Sequence, residues 1–207
     1  MKRSDAIREL TAEGKPYELV QTEAMGRPAR VFLNAPPTLR DLFSATRSNL
    51  PFLVYEDERL TFEQVWQQTC TLADALVSDY GVQKGDRVAI SMRNFPEWMV
   101  AFNAATSIGA IAVAMNALWQ PHEMEYALGN SAPKVLLADQ ERLDRLAQCQ
   151  NLPAGLKVIA VRGSGAGAKA YAEKLKGGGA VVVVRAPYGN ALLAKRLLDE
   201  AGPEASP

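Results

Sequence analysis

A single histidine, His122, and two cysteines, Cys70 and Cys149, are all the imidazole and thiol groups in 207 residues. A structural zinc site takes about four such groups, and a disulfide scaffold takes closely spaced cysteines in even sets. Neither organises this chain, and no metal-binding residue is expected. Two distant cysteines inside helical patterns are expected as reduced core residues of a cytoplasmic protein. An excess of either charge is also missing: 23 Lys plus Arg face 23 Asp plus Glu. The basic footprint of a nucleic-acid binder and the acid run of a solvating tail are therefore absent. No stretch approaches the ~18 apolar residues of a membrane span. The opening Met1–Leu10 is charged throughout, so no secretory leader is expected.

The remaining composition is that of a globular domain, with 48% hydrophobic and 22% charged residues. Residues 1–37 read as a peripheral lead-in. A short helix (Ser4 to Leu10) is followed by two extended runs, Tyr17–Val20 and Ala29–Leu33, and then by Pro36-Pro37. Thr38 suits the N-cap of a helix carrying Leu39, Leu42 and Phe43. Phe52–Tyr55 and Glu58–Leu60 form a hairpin pattern around Glu56-Asp57. Thr61-Phe62-Glu63-Gln64 has the form of a capping box. It opens a helix with Val65, Thr69, Leu72, Ala73 and Leu76 on one face.

Strands and helices then alternate. Strands are expected at 87–92, 111–115, 134–138 and 156–161. Between them come a helix capped by Asn94 with Pro96 in its first turn, a helix from Pro121 to Leu128, and one from Glu141 to Gln148. The first of these is apolar nearly all round. Short apolar strands joined by such helices predict right-handed βαβ crossovers: an α/β fold with a mainly parallel sheet. From Gly163 the texture changes. Residues 163–179 form a Gly/Ala-rich linker with a short helical run, Ala170 to Lys176. Residues 180–207 form a strand-helix tail, with the strand at Ala180–Val184 and a helix from Asn190.

Four stretches between Thr38 and Val161 carry a resemblance. They are Leu53–Phe62, Tyr80–Ile90, Met92–Trp98 with Ser107–Ala110, and Asn116–Trp119 with Glu123–Leu128 and Ser131–Leu136. In this order and spacing they resemble the N-terminal region of the adenylate-forming superfamily, and within it the fatty-acyl and aryl-acyl CoA synthetases that form AMP. The lead-in also looks like the extension of long-chain members. The resemblance implies a partial N-terminal domain of that fold, at 38–162. It also implies ATP, Mg and CoA as cofactors of the full-length family.

The departures are as informative as the likeness. That family binds ATP phosphates on a Ser/Thr/Gly-rich loop with a Lys, adenine and magnesium through an aromatic-Thr-Glu segment, and ribose through an Asp. A mobile C-terminal domain adds a catalytic Lys. None of these motifs occurs here. Gly163-Ser164-Gly165-Ala166-Gly167-Ala168-Lys169-Ala170 fails the Walker pattern at Ala168 and Ala170 and reads as a linker. The tail does not resemble the family; a natural truncation, a fusion and a gene-model error all remain open. The expectation is thus a ligase-family N-terminal fragment, truncated and not catalytic alone. The alternative is a non-catalytic interaction or assembly module, or a decayed gene product.

No catalytic or cofactor-binding residue is assigned. His122 reads as a surface histidine, and Trp66 and Trp98 as packing. Trp119 is the one candidate for lining a cleft, because it sits just past a strand's carboxyl end, where open α/β sheets gather ligands. A missing remainder of the domain would leave Trp98, Val100 and Phe102 uncovered. That predicts self-association or association with the remainder, unless Ala180–Val184 covers them in cis.

Overall fold

Short apolar runs separated by helices build a parallel sheet here, and two antiparallel hairpins precede it in the chain. The computed structural model describes residues 2–163 and 181–184. The helical runs expected at 170–176 and from Asn190 lie outside them. Contacts divide the chain into two units, Met1–Leu42 and Phe43–Pro207.

The first unit contains helix α1 (Arg3–Leu10) and the antiparallel strands β1 (Leu19–Ala24) and β2 (Arg27–Phe32). The two extended runs of the lead-in are therefore one hairpin. Its turn, Met25-Gly26, has φ of 52° and 72° at the two positions. Such a left-handed pair matches the twist of the strands it joins. Helix α2 (Leu39–Ala45) follows, and the Asp41 N–H donates to Thr38 Oγ1 at 3.1 Å.

In the second unit, β3 (Pro51–Tyr55) and β4 (Glu58–Thr61) pair antiparallel and lead into α3 (Phe62–Ser78). The capping box is present: the Gln64 N–H donates to Thr61 Oγ1 at 3.2 Å, and the Thr61 N–H to Gln64 Oε1 at 2.9 Å. Val65, Thr69, Leu72 and Leu76 are buried along one face of α3.

The parallel sheet comprises β5 (Arg87–Ser91), β6 (Ile111–Ala114), β7 (Val135–Asp139), β8 (Lys157–Val161) and β9 (Val181–Val184), in the order β6-β5-β7-β8-β9. All five residues of β7 are buried. A strand covered on both faces needs no alternation, which is why its sequence is a continuous apolar run. Helices α4 (Pro96–Ser107), α5 (Pro121–Ser131) and α6 (Gln140–Leu146) make the crossovers. On one face Val100, Ala101 and Ala104 of α4 join Leu72 and Leu76 of α3 over Val88, Ile90, Leu137 and Ile159. On the other, Met124 and Leu128 of α5 join Leu143 and Leu146 of α6 over Ala89, Leu136, Ala138 and Val158. Each of the larger side chains, Val, Leu, Ile and Met, contributes about 1.5–3 kcal/mol by leaving water.

Several local readings are corrected. Asn94 does not cap α4: the N-cap is Phe95, with no side-chain bond, and the helix starts at Pro96, whose fixed φ suits its first turn. Cys70 is exposed rather than core, because it lies about 100° around α3 from the buried Thr69. Cys149 is half-buried just beyond α6. Val100 is fully buried. Trp98 and Phe102 stack on each other, with centroids 5.7 Å apart, and pack against the first core cluster. The cover over α4 comes from α3, whereas β9 pairs with β8. Among the described residues no helix is long and apolar enough to cross a membrane.

Candidate functional site

The strand order places a reversal beside β5. The chain leaves β5 over one face to reach β6, then returns over the other face to reach β7. Open parallel sheets hold ligands at the carboxyl ends of the strands flanking such a switch point. Here those ends are Ser91-Met92-Arg93 and Asp139-Gln140.

Asp139 ends β7 and caps α6. Its Oδ1 accepts from the Arg142 N–H at 3.1 Å, and its Oδ2 accepts from the Arg93 N–H at 2.9 Å. Arg142 lies one turn along α6 and points back. Its Nη1 sits 3.1 and 3.3 Å from the two Asp139 oxygens. The two side chains are 1% and 5% exposed. A guanidinium and a carboxylate this far from water are tolerable only when both are paired and their remaining groups are bonded. That condition is met: Arg142 Nη1 also donates to Glu141 Oε2 at 2.8 Å, and its Nε and Nη2 both donate to the Ala117 carbonyl.

Arg145, on the next turn, extends the network. Its Nη1 donates to the carbonyls of Ala117 (3.0 Å) and Trp119 (2.9 Å), and its Nη2 donates to Glu141 Oε1 at 2.6 Å. Two arginines of α6 thus fasten the loop after β6 through its backbone. Trp119 stands on that loop, half-buried, with its side chain packed against the second core cluster. The Ser91 hydroxyl is fully buried in the same neighbourhood and has no hydrogen-bond partner.

The charged groups of this edge satisfy one another: the cations are bonded to main-chain carbonyls and carboxylates, and Asp139 accepts from three donor groups. Among the described residues no free base stands beside the Ser91 hydroxyl. His122 is exposed and lies in an open groove between α5 and residues 148–151, together with Tyr126 and Asn130. Glu125 in that groove is held below the usual carboxylate range by the Gln150 N–H and by the Asn151 side chain. Among the described residues no three His, Cys, Asp or Glu side chains are grouped to hold a metal ion.

A second cluster occupies the carboxyl end of β8. Arg162 reaches Glu97 at the start of α4 and Glu58 on β4. These bonds raise the Arg162 pKa above its ordinary value and hold Glu58 below the usual carboxylate range. Beside them lies a cleft of about 300 Å³ between Leu53, Val54 and Tyr55 of β3 and Phe95, Trp98 and Met99.

Sequence reasoning missed both ion clusters. Asp139 had a local signal, an Asp closing an apolar strand three residues before Arg142. Arg162 had none, because its partners lie far back in the chain.

Comparison with known proteins gives a consistent result. The family described as AMP-binding enzyme matches residues 42–192. The acyl-CoA ligase sidI of Beauveria bassiana is 35% identical over 123 residues, covering 57% of this chain and 21% of its own. A long-chain-fatty-acid–CoA ligase of Salmonella typhimurium is 32% identical over 113 residues, covering 53% and 20%. Among solved structures, the anthranilate CoA ligase AuaEII in complex with anthranoyl-AMP superposes with a TM-score of 0.57 at 28% identity, covering 60% of this chain and 25% of that one. The chain thus spans about a fifth of the length of the curated relatives it matches. The family match runs past residue 163, to residue 192.

Proposed function

Since the chain belongs to the family of AMP-binding enzymes, we propose that it forms N-terminal scaffold of an acyl-CoA ligase, and that the ligase's chemistry needs groups beyond these 207 residues. Such a ligase joins a fatty or aryl carboxylate to the AMP portion of ATP with release of pyrophosphate, then transfers the acyl group to the thiol of CoA with release of AMP. The observation that carries the reading is the five-stranded parallel sheet with its reversal beside β5, in a span whose relatives are named CoA ligases.

Stabilising a transferring phosphoryl group takes free, preorganised positive and N–H groups. The described residues do not fit that task. Arg142 and Arg145 are committed to Ala117, Trp119 and Glu141, and the stretch 163–170 lacks the glycine and hydroxyl of a Walker loop. The same reading makes residues 1–37 a peripheral lead-in and 38–162 the synthetase-like subdomain. It places the protein in the cytoplasm and has it associate with the rest of a ligase domain or with itself.

The test has two arms. The purified chain, given ATP, magnesium and a panel of fatty and aryl acids, is expected to release no acid-dependent pyrophosphate. Release that depends on both ATP and an acid, and is lost on heating, would overturn the scaffold assignment. The chain is then co-expressed with the products of the flanking reading frames. Co-purification with acid-dependent pyrophosphate release is expected. Flanking frames that lack a Ser/Thr/Gly-Lys loop, together with no release, would overturn the ligase reading.

A further inference from the structure

Arg162 has a left-handed backbone, with φ of 50°, a conformation that residues other than glycine rarely adopt. Residues stay there only when their surroundings over-determine them, and the surroundings of this side chain are specific. Its Nε donates to both oxygens of Glu97, at 2.8 and 2.9 Å, and its Nη2 donates to Glu58 Oε2 at 2.8 Å. The guanidinium carbon lies 5.2 Å from the Tyr55 ring centroid and 5.0 Å from that of Phe95. Those two rings meet edge to face, 5.5 Å apart.

The partners fall into two pairs. Tyr55 and Glu58 form the tip of the β3–β4 hairpin, where they face each other across the turn. Phe95 and Glu97 form the start of α4. The planar fork of an arginine can bond two carboxylates while its faces lie against aromatic rings, which an ammonium cannot do. The base of the hairpin is anchored differently: Phe52 stacks on Phe62 at 4.2 Å, and Leu53 and Leu60 pack on the core. The cleft of about 300 Å³ lies between the hairpin and α4, and both Tyr55 and Phe95 line it.

We infer that Arg162 is a clasp: it ties the hairpin tip to the start of α4, sets the width of the cleft between them, and lets the tip open as a unit when its guanidinium is lost. This device is independent of the ligase reading. Its test is backbone hydrogen exchange on the full chain. In Arg162→Ala, amides of residues 55–59 are expected to exchange about tenfold faster or more, while β5 and β7 stay within about twofold of the parent. Guanidinium chloride at about 20 mM, far below denaturing levels, is expected to restore most of the tip's protection, and methylammonium chloride is not. Glu58→Gln, which leaves the Glu97 bonds in place, is expected to open the same amides to a smaller extent, and it serves if Arg162→Ala is insoluble. Unchanged tip exchange, equal acceleration in β5 and β7, or equal rescue by methylammonium would each overturn the clasp.

Discussion

Substituting Asp139 by Asn changes one heavy atom and should cost the fold a large share of its stability. In the parent, the carboxylate accepts from the Arg93 and Arg142 N–H groups and from Arg142 Nη1. An amide keeps one acceptor and turns an NH₂ towards donors. It also leaves the Arg142 guanidinium, 1% exposed, with Glu141, itself 48% exposed, as its remaining carboxylate partner. Breaking a buried pair by removing one member costs about 3–5 kcal/mol, and the lost helix cap, worth about 1 kcal/mol alone, falls within that figure. At a urea slope of about 2 kcal/mol per molar, the unfolding midpoint should fall by about 1.5–2.5 M. The double variant Asp139→Asn, Arg142→Met is the control. It removes the stranded charge and should recover part of the loss, since buried pairs replaced by apolar groups are often near neutral. An Asp139→Asn loss below about 1 kcal/mol, or a double variant less stable than the single one, would refute the reasoning.

Two further outcomes are expected. Gly109 has φ of +75°, and a Cβ built there would lie 3.0 Å from Lys84 Cγ; Gly109→Ala should cost about 1–2 kcal/mol, read from the urea midpoint. Burial, and secondarily the Glu125 carboxylate, pushes the Cys149 thiol up to about 11, so its reactive thiolate accumulates only as pH rises towards that value. Iodoacetamide at pH 8 should therefore label the exposed Cys70 well before Cys149, as peptide masses will show.

The secondary structure was legible because its signals are local. Thr61 and Gln64 lie three apart and make the capping box, and the apolar run at 134–138 needs only its neighbours to read as a buried strand. The order of the strands was not legible. Periodicity says that β5 is apolar on both faces but not that β6 and β7 flank it. The side chains that fasten the carboxyl edge were invisible for the same reason. Arg142 and Arg145 read as the polar face of a short helix until the Ala117 carbonyl is seen to lie against them. Arg162 stood at the point where the texture changes and drew no notice. Trp119 was singled out by position, past the end of β6; that its ring packs against the second core cluster is a tertiary fact that position does not carry.

The place of β5 between β6 and β7 also dictates a sequence of events on the ribosome. Its first partner, β6, arrives within roughly 25 residues, with α4 between them, so a β5-α4-β6 unit can close early. Its second partner, β7, is roughly 50 residues away. At translation rates of about 5–20 residues per second, several seconds pass before Val135–Asp139 emerges. Through that interval the flank of Val88, Ala89 and Ile90 that β7 will take presents open amides and carbonyls on an otherwise finished unit. A free apolar edge of that kind invites other strands, so the nascent chain is most in need of a chaperone in the window between the synthesis of α4 and that of β7.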